Sequence, residues 1–268
     1  MRWNLGLLTG LVCAVAAHGA AAEAGIAVDL ELVLAVDVSG SIDPSEAILQ
    51  REGYIQALTS PEVIRAATSG PIGRIAVSYL EWAGYDHVRL VVDWQLVDGL
   101  PAAERMAGRL FDADVFSGQR TSISGAVLFA LSLFRDNGYA GTRRVIDLSG
   151  DGPNNSGLPV LAARDAAAAA GVSVNGLAIL NERTGPFGYP ILRDLDIYYE
   201  ECVIVGQGAF VLVADGFEDF GRAIRRKLVL EIADLAPRRA LFRRVRGYDC
   251  LIGERQLQEW MKLNPLDP

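Results

Sequence analysis

Apolar and polar positions alternate along the chain in two rhythms. Six short runs are almost uninterruptedly apolar: Asp29–Val38, Gly73–Trp82, His87–Leu96, Arg143–Leu148, Val172–Leu180 and Ala209–Ala214. Runs of this length and composition predict strands, and strands covered on both faces. Between them, apolar residues recur every three or four positions. One such stretch opens at Asp43-Pro44-Ser45-Glu46 and runs to Thr59 with Ile48, Tyr54, Ile55 and Leu58. Asp43 can cap, Pro44 suits the first helical position, and Glu46 completes a capping box. Ser60-Pro61 breaks this helix, and a short helical piece precedes Ser69-Gly70-Pro71. Further helices are expected over Pro101–Phe111, Ser122–Phe134 and Leu158–Ala170, the last stopped by Gly171, with a short one near Leu192–Tyr199. The final predicted helix, Phe217–Ala233, carries Phe217, Phe220, Ile224, Leu228 and Ile232 at helical spacing.

The order of elements fixes the fold class. Gly84-Tyr85-Asp86 is too short a link for a crossover, so the second and third strands form an antiparallel hairpin. After it, strands and helices alternate. The expected fold is α/β: a doubly wound, mainly parallel six-stranded sheet with one antiparallel edge strand and helices on both faces.

Both ends differ from this body. Arg2 precedes an apolar stretch, Leu5–Ala17, that is short for a membrane span, and Ala20-Ala21-Ala22 supplies small residues for cleavage. Residues 1–22 are therefore expected to be a signal peptide and 23–28 a linker, with the domain spanning 29–234. No later stretch is long and apolar enough to anchor the chain after cleavage. The chain is expected to be exported, periplasmic or secreted. Losing Arg2 with the leader takes the formal charge from −8 to −9, which argues against nucleic acid as the main partner. Against this acidity, residues 235–268 form a basic tail with Arg238, Arg239, Arg243, Arg244 and Arg246, next to Arg222, Arg225, Arg226 and Lys227. A solvated helix face with a tail packed on acidic surface is the preferred reading, and contact with a membrane surface the weaker one. Two cysteines remain after the leader, Cys202 and Cys250; in an oxidising compartment they can pair, or they are two separate thiols.

Candidate chemistry gathers where strands end. Asp37-Val38-Ser39-Gly40-Ser41 closes the first strand, Thr121 opens a helix, and Asp151 follows the fourth strand. In doubly wound sheets the first and fourth strands are commonly neighbours, and ligands bind at the carboxyl ends of strands. Two carboxylates and three hydroxyls would then converge. An all-oxygen set suits a hard cation such as Mg²⁺ or Mn²⁺, with waters completing the shell. Taken singly, each residue has an ordinary use as a cap or turn; the ordered coincidence of all five raises the metal reading above these.

These residues resemble a known family. Asp37-Val38-Ser39-Gly40-Ser41 is similar to the D-x-S-x-S motif of von Willebrand factor type A domains, with Thr121 and Asp151 in the slots of that family's fourth and fifth elements. The resemblance covers roughly Asp29–Asp234 and is strongest to exported bacterial members of uncharacterised function. It implies a Rossmann-like fold and a metal-ion-dependent adhesion site. Ser39 and Ser41 would bind the metal directly, Thr121 directly or through water, and Asp37 and Asp151 mainly through coordinated waters. Neutral hydroxyls leave such a cation under-neutralised, so an acidic side chain of a protein partner can complete its coordination. One departure stands out: many members carry two glycines before the threonine, and this chain has Gln119-Arg120.

Catalytic alternatives fare worse. After the leader a single histidine, His87, remains; it is expected away from the site, and there is no G-x-S-x-G elbow, so a Ser-His-Asp hydrolase is not indicated. A P-loop is absent too. The remaining enzyme reading is a Mg²⁺-dependent phosphoryl-transfer hydrolase with Asp37 as nucleophile. Ser39 stands where that chemistry uses a second acid, and the chain's two lysines, Lys227 and Lys262, are badly placed for it. The expectation is a non-catalytic binding module.

Overall fold

The computed structural model describes residues 25–181, 189–235 and 247–265. The expected leader, the breakers Gly185-Pro186 and the arginines 238–246 lie outside the described residues.

One sheet organises the chain. Its strands are β2 (Leu30–Asp37), β3 (Ile75–Trp82), β4 (Val88–Val97), β6 (Arg144–Gly150), β7 (Ser173–Leu180) and β8 (Val211–Asp215), in spatial order β4-β3-β2-β6-β7-β8. Only the β3–β4 pair is antiparallel. All eight residues of β2 are buried. Side chains on a strand point alternately to opposite faces, so Leu30, Leu32, Leu34 and Val36 join one core and Val33 and Ala35 the other. That two-sided burial is why the run reads as continuous rather than alternating apolarity.

On the first face lie α1 (Pro44–Leu58), α2 (Pro61–Thr68), α3 (Leu100–Asp112) and α7 (Phe220–Ile232). Tyr54 of α1 and Phe220 of α7 meet edge to face there, 5.5 Å between ring centres. The Asp43–Glu46 capping box is formed as the sequence predicts. On the opposite face lie α4 (Ile123–Leu133), α5 (Val160–Ala169) and α6 (Leu195–Tyr198), which continues as one wide π-helical turn over Tyr199–Val203.

Three findings revise the sequence reading. Residues 26–28, expected in a linker, form β1 (Ile26–Val28), which pairs in parallel with β5 (Tyr139–Gly141) as a small second sheet. The region expected as a basic tail contains a helix, α8 (Ile252–Leu263), so Phe217–Ala233 does not hold the last helix. Lys227, counted with the exposed basic residues, is wholly buried on α7.

Lys227 sits in a closed triad. Its Nζ lies 2.7 Å from Asp147 Oδ1 on β6 and 2.7 Å from Glu231 Oε1 one helical turn on, and all three side chains are inaccessible to solvent. The Glu231 contact is a hydrogen bond, whereas the Asp147 contact is one of distance and charge alone. Burial and the Asp147 charge outweigh Lys227 and push the Glu231 carboxyl up to about 8. The triad thus sets two buried carboxyl groups against a single ammonium group.

Candidate metal site

β2 and β6 are neighbours with Val36 opposite Ser149, so both deliver their ends to one edge of the sheet. Asp37, the last residue of β2, is completely buried. Its Oδ1 accepts a hydrogen bond from the Ser39 amide at 2.8 Å, tying the carboxylate to the turn that follows. Ser39 Oγ lies 3.3 Å from Ser41 Oγ, and Ser41 Oγ donates to Asp151 Oδ1 at 2.7 Å. Ser39 also bridges to Gly118, whose amide donates to the Val38 carbonyl at 3.0 Å. That bridge draws in the loop carrying Thr121, whose Oγ1 is 3.8 Å from the point a Cβ on Gly152 would occupy. Four of the five expected residues are thus linked by close polar contacts, and the fifth abuts the Asp151 turn.

Several residues that position this group escaped the sequence reading. The Thr121 amide donates to Asn155 Oδ1 and its carbonyl accepts from the Asn155 amide, each at 2.8 Å. Asn154, fully buried, accepts from the Ser124 amide at 3.0 Å through Oδ1 and donates from its amide to the Tyr198 hydroxyl at 3.1 Å. Gln50 of α1 donates to the Asp37 carbonyl at 3.2 Å. The only sequence signal for these is the pair Asn154-Asn155 directly after Asp151-Gly152-Pro153. Gly150 is equally constrained: a Cβ there would sit 2.7 Å from the Tyr199 hydroxyl and 2.9 Å from Asp37 Oδ2. Tyr199 reaches this spot from the π-helical turn, a feature enriched at functional sites.

The electrostatics show a deficit of positive charge. Burial, then the nearby Asp151 charge, raises the Asp37 carboxyl well above the ordinary carboxylate range. Burial, with the Glu46 charge adding to it, pushes Asp151 up to about 6 despite the Ser41 hydrogen bond. Among the described residues no cationic side chain figures in either environment. Asp37 Oδ2 is buried without a hydrogen-bond partner. An enclosed, unpaired carboxylate oxygen is costly unless a cation or donor meets it. The oxygen spacings of 2.7 and 3.3 Å bracket the ~3 Å edge of an octahedron with ligands at 2.0–2.1 Å. Among the described residues no three His, Cys, Asp or Glu side chains gather as a metal cluster; this donor set is distinguished by its hydroxyls. The residues present fit a hard divalent cation.

Two surroundings differ from expectation. Arg120 adopts φ 68°, in the left-handed region. A side chain in that conformation costs roughly 1–2 kcal/mol. His87, expected away from the site, flanks the same loop: its Cβ lies 3.5 Å from where a Cβ on Gly118 would stand. Its Nδ1 is 2.7 Å from Asp86 Oδ1, and its ring stacks on Phe116.

Comparison with known proteins bears on the fold. A family model described as "Protein of unknown function (DUF1194)" matches residues 27–236. No curated protein matches the sequence. Among solved structures, proximal thread matrix protein 1 from the mussel byssus is 16% identical, with a TM-score of 0.56 over 80% of this chain and 49% of that one. A further structure of the mussel protein, described as having a zinc occupied MIDAS motif, has a TM-score of 0.52 at 16% identity over 79% of this chain and 49% of its own. The pilus adhesin SpaC from Lactobacillus rhamnosus GG, in an open conformation, is 14% identical, with a TM-score of 0.57 over 78% of this chain and 30% of that one. The chain thus spans about half the mussel protein and under a third of the adhesin. The shared architecture is that of von Willebrand A-type domains.

Proposed function

The chain belongs to the DUF1194 family, and from that premise we propose that it is an exported, non-catalytic adhesion module whose divalent-metal site captures an acidic side chain of a protein partner. The observation that carries this reading is the charge deficit at the end of β2 and β6. Two carboxylates are raised by burial, one of their oxygens is buried and unpaired, and no cationic side chain among the described residues offsets them. When bound, Mg²⁺ or Mn²⁺ would supply an electrophilic position that neutral hydroxyls leave under-neutralised. Ser39, Ser41 and Thr121 would hold it through hydroxyl oxygens, and Asp37 and Asp151 through their carboxylates or waters on them. Ser41 donating to Asp151 Oδ1 keeps that carboxylate aimed at the shared point. The likeness in fold to a mussel protein with a zinc occupied MIDAS motif and to a pilus adhesin supports the reading by analogy.

Export rests on the residues at 1–22. Among the described residues no helix is long and apolar enough to cross a membrane. Phosphoryl transfer is the weaker alternative. Asp37 has no solvent-accessible surface, its Oδ1 is engaged by the Ser39 amide, and Lys227 is locked in the buried triad.

Titration calorimetry of the protein with Mg²⁺ and with Mn²⁺ tests the proposal. Binding is expected in the parent and lost in the double variant Ser39→Ala, Asp151→Ala. Equal binding by parent and variant would overturn it. Turnover of a generic phosphoester, abolished by Asp37→Asn, would establish the alternative.

A further inference from the structure

The helix α8 belongs to no part of the metal-binding motif, yet it contacts both loops that carry Thr121 and Asp151. Just before it, Cys250 is joined to Cys202 of the π-helical turn by a disulfide. Tyr248 reinforces this anchor. Its hydroxyl donates to Asp194 Oδ2 at 2.9 Å, and its ring packs on Tyr198 with 6.2 Å between centres.

From this anchor three lines run to the site. The first is the most direct. Gly253 lies so close to the Asp151 loop that a Cβ on it would meet the Asn154 carbonyl oxygen at 2.1 Å and Pro153 at 3.0 Å. Glu254, the next residue, accepts a hydrogen bond at 2.8 Å from Asn154 Nδ2. Asn154 stands three residues after Asp151 and pins the start of α4 through the Ser124 amide. The second line passes through Trp260, whose ring meets Tyr189 at 5.9 Å; the Tyr189 hydroxyl accepts from Asn155 Nδ2 at 3.3 Å, and Asn155 brackets Thr121. The third is Arg120, whose guanidinium lies 3.7 Å from Met261 Sδ. Arg120 immediately precedes Thr121 and holds the unfavourable φ.

We infer that α8 is a tethered clamp on the metal site: Glu254, through Asn154, is a positioning residue for the Asp151 loop, and the Cys202–Cys250 bond holds the clamp in register. This deepens the metal reading and rests on it. Asn154 explains why one contact matters. It is buried, and its amide proton, its Oδ1 and both Nδ2 protons are engaged: by Tyr198, by Ser124, and by the Leu158 carbonyl together with Glu254. Removing the Glu254 acceptor strands one Nδ2 proton inside the loop, and the loop must shift to satisfy it. Reduction acts further back. A dithiol such as dithiothreitol is oxidised to its cyclic disulfide while Cys202 and Cys250 each gain an electron and a proton. The anchor of α8 is then released without any change at the site itself.

The test measures Mn²⁺ affinity of the full chain by titration calorimetry, oxidised and reduced, for the parent, Glu254→Ala and Glu254→Gln. Outer-shell partners of metal ligands are commonly worth about tenfold or more in affinity. Glu254→Ala and reduction of the parent are each expected to weaken Mn²⁺ binding about tenfold, and reduction of Glu254→Ala to add little. Glu254→Gln keeps an acceptor oxygen and is expected to bind as the parent does. Parent-like affinity in Glu254→Ala overturns the inference. Equal losses in Glu254→Gln and Glu254→Ala overturn it too, since they would mark a long-range effect of charge. Should the parent bind no Mn²⁺, the metal reading falls by itself. Amide exchange over residues 151–157 in metal-free protein then decides the clamp: faster exchange in Glu254→Ala than in Glu254→Gln supports it, and equal exchange overturns it.

Discussion

The central strand β6 carries two buried-charge regions that handle the same problem differently. Within the strand, Asp147 faces Glu231 and Lys227, so two carboxylates share a cation built into the chain. Just past the strand, Asp151 faces Asp37 across three hydroxyls, and among the described residues no cationic side chain accompanies them. The first arrangement is closed, with every charged group inaccessible to solvent. The second reaches the end of the sheet, where Asp151 is only partly covered. A permanent lysine makes a structural tie between α7 and the sheet. Its absence at the strand end leaves a place that an exchangeable cation can fill. The regions differ in composition as well as in exposure, although each pairs a carboxylate on or just after β6 with one from a neighbouring element.

Removing charge is expected to have opposite signs in the two regions. Lys227→Met leaves two buried carboxylates without their cation. It is expected to cost about 3–5 kcal/mol, measured by urea denaturation, with no recovery on adding Mg²⁺. Asp37→Asn should do the reverse. The amide still accepts from the Ser39 amide while the carboxyl group that burial disfavours is gone, so stability in chelator is expected to rise by about 1–3 kcal/mol. A loss of stability in that variant would break the comparison. The effect of pH is the smallest for any single unit step. The Glu231 carboxyl lies at about 8 in the folded protein against 4.5 for an ordinary glutamate. Its contribution is therefore fully present below the lower value and is lost as pH rises through the higher one. Relative to Glu231→Gln, the parent is expected to lose at most about 1.4 kcal/mol per pH unit across that window. Denaturation midpoints that stay parallel from pH 5 to pH 9 would remove Glu231 as the titrating group.

What could be read in advance follows the range of the interactions. Strands buried on both faces announce themselves as apolar runs, and the α1 cap is spelled out by Asp43, Pro44 and Glu46 within four residues. The first three candidate ligands fall within five residues of one another, and the topology that unites them with Thr121 and Asp151 follows from strand alternation. Everything missed depends on partners far away in sequence. β1 is three residues whose strand partner among the described residues is more than a hundred positions distant. Lys227 sits among arginines on α7, and nothing nearby says that Asp147 will enclose it. α8 follows a run of arginines, and the residues its Gly253 and Glu254 meet, around Asn154, lie about a hundred positions earlier. Tyr199, at the start of the π-helical turn, comes beside Gly150 and Asp37 from more than forty positions further along the chain.

The small parallel pair of β1 and β5 has a mechanical consequence. It fastens the chain beside the start of β2, whereas the Asp37–Ser41 loop lies where β2 ends, eight residues or roughly 26 Å further along. A load applied between this end of the domain and the Asp37–Ser41 loop would run lengthwise through β2. This strand is hydrogen-bonded along both edges, to β3 and to β6. Such a load shears two ladders at once instead of peeling them bond by bond, and a strand buried at all eight residues bears it.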